Sequence, residues 1–226
     1  GSLRQVGVTA ILILLGINIF IFILISLRWW MILRAQGWRV ALYSVIGYRL
    51  AGFGLTYFTP GPQFGGEPAQ VYLLKEKEGI PISPAATSVA IDKLLELLAN
   101  FSFLLVGVSV LLGSGRIHSG SWLGVILFPV LLLSVPVIYL LALRSEFLPV
   151  SFIVDKIFKD KSIAIKYQGI LTRINETEAM VSAFCTRNVA VLLGGAGLSI
   201  VIWALMIFEF GLMMQYLGIQ FNLVQI

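Results

Sequence analysis

Ser88, Asp92, Glu96 and Asn100 recur every four residues through a stretch that is otherwise almost entirely apolar. On an α-helix this spacing gathers them into one polar stripe. Eight residues of helix place Asp92 roughly 12 Å beyond Pro84, close to the middle of a ~30 Å hydrocarbon core if the helix crosses a bilayer. Ionisable groups at that depth are costly against lipid, so they turn toward a bundle interior or a water-filled passage. The adjacent Lys93 can reach Glu96 at i, i+3, which leaves two readings open: a structural ion pair or part of a transport pathway.

A second constellation lies upstream in the run Thr59-Pro60-Gly61-Pro62-Gln63-Phe64-Gly65-Gly66-Glu67-Pro68. Gly65 and Gly66 open backbone conformations closed to other residues, and Pro68 suits the first turn of a helix that ends near Gly79. The amide groups at the start of that helix would favour an anion such as a lipid phosphate. Glu67 satisfying the helix dipole, with the glycines serving close packing, is the alternative. Arg49 would either neutralise a phosphate or pair with Glu67 or Asp92. Glu209, flanked by Phe208 and Phe210, is either protonated or partnered by a cation such as Lys93 or Arg49.

These residues need helices to hold them. Hydrophobic residues make up 58% of the 226 and charged residues 12%, about half the charged share of a soluble domain at roughly 25%. The mean hydropathy is +0.96. Apolar runs predict membrane spans at about residues 6–27, 84–112, 122–143 and 189–217, with Ser83 as N-cap of the second. The first run ends at Arg28-Trp29-Trp30, which reads as an interfacial anchor. Its basic flank is C-terminal, opposite to a secretory signal.

Basic residues beside the spans predict that residues 28–40 and 144–187 are cytoplasmic. The chain between them then crosses an even number of times, so residues 41–79 form a re-entrant helical hairpin broken at Pro60. Non-helical backbone at membrane depth is tolerated only where protein or a polar cavity surrounds it. Within residues 144–187, Phe147, Leu148, Ile153, Ile157, Ile170 and Ile174 recur at helical spacing, predicting amphipathic helices along the membrane surface. The expected fold is therefore all-α: a single polytopic membrane domain of about four full spans, a re-entrant hairpin and interfacial helices.

Several function classes drop out. Cys185 is the sole cysteine and His118 the sole histidine, so an intrachain disulfide, a thiolate cluster and a multi-histidine metal site are not expected. No phosphate-binding loop of the Gly-x4-Gly-Lys-Ser/Thr type is present, and no cofactor is expected. The net charge of +5 reads as membrane-surface attraction rather than a nucleic-acid site.

The run Arg28-Trp29, then Leu33-Arg34-Ala35-Gln36-Gly37, then Pro60 with Gly65-Gly66-Glu67-Pro68, then Ala90-Ile91-Asp92-Lys93-Leu94-Leu95-Glu96 resembles the lysylphosphatidylglycerol synthase transmembrane region family. This is the flippase-like membrane domain of multiple peptide resistance factors and of stand-alone homologues. The motif detail covers roughly residues 28–105. The resemblance implies a prokaryotic cell-membrane protein that moves a phospholipid, anionic or aminoacylated, between leaflets and so supports antimicrobial peptide resistance. It places functional roles on Glu67, Asp92 and Lys93, where the family often has Asp and Arg at the positions of Glu67 and Lys93. It also implies further helices beyond Ile226, and a homo-oligomer is one way to complete a site.

By family association the enzymatic alternative is phosphatidylglycerol lysyltransferase. In the two-part resistance factors that chemistry resides in a separate soluble domain, and no stretch here offers a soluble α/β pattern or a nucleophile with its base. A membrane scaffold is the third class, and it would leave the intramembrane charges without a role.

Overall fold

The computed structural model describes residues 7–56, 65–113, 122–145, 147–157 and 161–218. Pro60, with most of the Pro/Gly break, and His118 lie outside the described residues. Within them the chain forms eight helices and no strand: α1 (Val8–Ala35), α2 (Leu42–Thr56), α3 (Glu67–Glu78), α4 (Ile82–Gly113), α5 (Trp122–Arg144), α6 (Pro149–Ile157), α7 (Lys161–Arg187) and α8 (Val189–Tyr216).

Four of these, α1, α4, α5 and α8, are long and apolar enough to cross a membrane. Their outward faces carry large apolar side chains, among them Leu12, Leu15 and Phe20 on α1 and Leu127, Phe128 and Ile138 on α5. No water-soluble fold leaves such continuous bands exposed, so the surrounding medium is lipid. Pro129 and Pro136 sit inside α5 without ending it, as the rigid surroundings of a membrane bundle permit.

Helix α4 is the central element because three of its faces are used differently. Ala85 and Val89 join a cluster with Trp29 and Leu33 of α1, Val45 of α2 and Leu74 of α3. Ile91 and Leu95 join another with Ile32 of α1, Leu143 of α5, and Val181, Phe184 and Cys185 of α7. The remaining face carries Asp92, Lys93 and Glu96.

The start of α4 departs from expectation. The helix opens at Ile82, with the Ala85 amide donating to the Pro81 carbonyl. Ser83 is therefore inside the first turn rather than its N-cap, and its hydroxyl donates to Glu176 of α7 at 2.8 Å.

Helices α2 and α3 pack antiparallel. Near the break, a Cβ on Gly66 would overlap the Gly52 carbonyl, so both glycines are needed for the backbones to approach. At the other end the Tyr48 hydroxyl donates to Glu78 at 2.6 Å, and α3 stops at Gly79 in the left-handed region.

Helices α6 and α7 form the amphipathic connection, held by an interaction invisible in the charge pattern. Glu178 of α7 is buried and accepts from the Val150 amide at 2.8 Å, the Ser151 amide at 2.7 Å and the Ser151 hydroxyl at 2.6 Å. A carboxylate thus caps the start of α6 from a neighbouring helix. Asn188 then makes a one-residue corner into α8, which continues through Gly194, Gly195 and Gly197 without interruption.

Candidate functional site

Arg28 and Trp29 do not turn outward as surface anchors. Helix α1 continues past them to Ala35, and both are buried against α4. The Arg28 Nε donates to Asp92 Oδ1 at 2.7 Å, and its Nη1 donates to the Ser199 hydroxyl of α8 at 2.9 Å. Arg49 of α2 donates through Nη2 to the other Asp92 oxygen. Asp92 therefore holds a guanidinium from α1 on one oxygen and one from α2 on the other.

Trp29 braces this arrangement. Its ring lies 5.3 Å from the Arg49 guanidinium carbon, and its Nε1 donates to Ser88 at 3.1 Å. The ring thus supplies a cation-π face to a guanidinium removed from water. Removing charge from water costs several kcal/mol per ion unless partners restore the lost interactions, and here each group finds some but not all. The Arg28 Nη2 and Arg49 Nε atoms are buried without a hydrogen-bond partner.

At the neighbouring position on α4 the charge order reverses. Lys93 Nζ lies 3.0 Å from Glu96 and 3.4 Å from Glu67 at the start of α3. The other Glu67 oxygen accepts from the Gly65 amide at 2.8 Å, with Gly65 at φ 119°. That conformation favours glycine, so the glycine pair both aims Glu67 and admits α2. The two charged groups meet where Arg28 Nη2 stands 3.9 Å from Glu96 Oε2.

Arg28, Arg49, Glu67, Asp92, Lys93, Glu96 and Ser199 line one cavity of about 970 Å³ between α1, α2, α3, α4 and α8. Its charged floor comprises Arg28, Arg49, Glu67, Asp92, Lys93 and Glu96, with Gln70, Asn100 and Ser199 as neutral polar groups. Phe22, Phe53, Phe101, Leu104 and Met206 form apolar walls. Gly195 lets α8 come close, since a Cβ there would meet Leu95 Cδ1 at 2.7 Å.

The cavity thus brings together Arg49, Gly66, Glu67, Asp92, Lys93, Glu96 and Asn100. Asn100 also accepts from the Trp203 indole at 3.3 Å. Ser88 lies outside the lining, buried beneath Trp29, and Gly65 acts only through Glu67. Glu209 is also outside it and is held by the Asn18 side-chain amide, not by Lys93 or Arg49. Gln70, Ser199 and Trp203, which no sequence pattern singled out, belong to the lining, as does Arg28, to which the sequence gives the role of an anchor. Among the described residues, no group of three or more His, Cys, Asp or Glu side chains could hold a metal ion.

The family described as Lysylphosphatidylglycerol synthase TM region matches residues 2–226. The chain belongs to that family. It is a multi-pass membrane domain linked to lipid handling, and the match extends well beyond the motif-bearing residues 28–105. No curated protein and no solved structure matches it.

Proposed function

We propose that the chain translocates phospholipids between membrane leaflets, sheltering the headgroup in the charged cavity while the acyl chains remain in lipid. One observation carries this reading: six ionisable side chains from four helices converge on a cavity of about 970 Å³ inside an apolar helix bundle. Charges at membrane depth are expensive, and they persist where a polar species must be received. A cavity of this size matches a small-molecule site with apolar walls and a few placed polar groups. Membership of a family named for a lipid-synthase membrane region supports a lipid as the species received.

In this reading α2 and α3 enter from the cytoplasmic side and return, which puts the Gly65-Gly66 turn within the bilayer. The basic connections around Arg34 and Arg39, and those of α6 and α7, face a cytoplasm bounded by anionic headgroups. The host membrane is a prokaryotic cell membrane.

The test reconstitutes the purified chain in liposomes with leaflet-specific fluorescent phospholipids and follows their exchange. Exchange should depend on the protein and fall at least tenfold in Glu67→Gln and Asp92→Asn variants that remain folded. Equal exchange in protein-free liposomes would sink the proposal.

A further inference from the structure

The charges in the cavity are arranged by sign. Arg28 and Arg49 converge on the single carboxylate of Asp92, leaving one formal positive charge in excess. Lys93 sits between Glu67 and Glu96, leaving one formal negative charge in excess. The two sides abut at the 3.9 Å approach of Arg28 to Glu96. The charged side chains of the described lining sum to zero yet form a strong dipole.

We infer that it is built for a net-neutral zwitterionic headgroup, a phosphate joined through a short linker to one primary ammonium. The phosphate lies at Arg28 and Arg49, and the ammonium lies between Glu67 and Glu96 in the place held by Lys93. This rests on the reading that the cavity receives a phospholipid headgroup.

Three features of the site select this chemistry. First, Arg28 Nη2 and Arg49 Nε are buried N–H donors without a hydrogen-bond partner, on side chains only 4% and 10% exposed. Guanidinium donors of this kind match phosphate oxygens. Second, the carboxylates around Lys93 accept hydrogen bonds, which a primary ammonium supplies and a trimethylammonium does not. Quaternary cations are instead held by aromatic cages. Third, the adjacency of the two sides fits a phosphate and an amine separated by a short chain, not an amine at the end of a long aminoacyl arm. A net-charged headgroup would also leave charge uncompensated in a low-dielectric site.

Lys93 then acts as an internal stand-in for the ligand's amine. Its removal should empty the ammonium position without touching the carboxylates.

The experiment measures binding of water-soluble short-chain phosphatidylethanolamine, phosphatidylcholine, phosphatidylglycerol and lysylphosphatidylglycerol to the purified full chain in detergent by titration calorimetry. Phosphatidylethanolamine should bind at least tenfold more tightly than the other three. That preference should vanish in Glu67→Gln and Glu96→Gln and persist in Lys77→Gln on the exposed face of α3, while ethanolamine-lipid binding itself should tighten severalfold in Lys93→Gln. Circular dichroism and size-exclusion elution establish that each variant is folded. Equal binding of all four lipids, tighter binding of the glycerol or lysyl lipid, or weakened ethanolamine binding in Lys93→Gln would overturn the inference and leave lipid translocation standing. Selective binding of the ethanolamine lipid without leaflet exchange would do the reverse. A folded chain that binds none of the four would overturn the headgroup assignment and its parent reading together.

Discussion

The Arg28 Nε donates to Asp92 at 2.7 Å across the α1–α4 interface, while Arg49 of α2 occupies the second oxygen of the same carboxylate. Asp92→Asn would leave two guanidinium groups sharing one neutral amide inside the bundle. Breaking a buried ion pair from one side costs about 3–5 kcal/mol. The variant should lose thermal stability in detergent by that order. Asp92→Glu should lose less, because it keeps the charge, and equal melting of Asn and wild-type chains would show that the triad does not hold the helices.

Gly66→Ala should separate α2 from α3. The added methyl group would overlap the Gly52 carbonyl and approach Thr56 Oγ1 to 2.8 Å, and backbone cannot rotate away as a side chain can. Overpacking of this kind costs about 1–3 kcal/mol, and the displaced turn would swing Glu67 away from Lys93. Gly54→Ala is the control, with nothing within 4 Å of the new methyl group. Exchange assays on both variants should show loss in the first and near-normal rates in the second.

Glu178→Ala should release α6 from α7 with the bundle otherwise intact. It removes the acceptor for two backbone amides and one hydroxyl, leaving donors unsatisfied at a cost of about 1–3 kcal/mol. Hydrogen exchange at Val150 and Ser151 should accelerate, whereas protection in α4 should not change.

Cys185 should resist thiol reagents. Burial pushes its thiol up to about 11 from an ordinary 9.0, against a smaller opposing pull from Arg144. The thiolate is the reactive species, so maleimide labelling of the folded chain at neutral pH should be slow and should become rapid on denaturation. Because the folded value is the raised one, the associated stability is fully present below pH 9.0 and is lost as the pH climbs toward about 11. Fast labelling of the native chain would contradict this placement.

The long spans were legible because twenty-residue apolar runs have few other uses, and the α4 stripe because a four-residue interval survives translation into a helix. Arg28 was not. A charge at the end of an apolar run reads as an interfacial anchor, and only a partner 64 positions away, Asp92, makes it a buried residue. Its membership of the same α1 face as Phe22 and Ile25 was the available signal. Asn18, inside the apparently uncharged first run, likewise concealed the partner of Glu209. Ser199 and Trp203 are ordinary in composition and acquire their roles only through packing, Ser199 against Arg28 of α1 and Trp203 against Asn100 of α4. Glu178 lay in a stretch of mixed charge, where nothing local separates a solvated carboxylate from one that caps another helix.

The α2–α3 pair is closed on itself by the Gly52–Gly66 approach and by Tyr48 on Glu78. Toward the cavity it presents one charge from each arm, Arg49 and Glu67, and both are latched to α4 by ionic contacts. A phosphate and an ammonium are the same currency of interaction as those latches. A ligand bearing them would compete for the contacts that dock the pair, and its occupancy and the seating of α2–α3 would then be thermodynamically coupled, each altering the other by an equal factor.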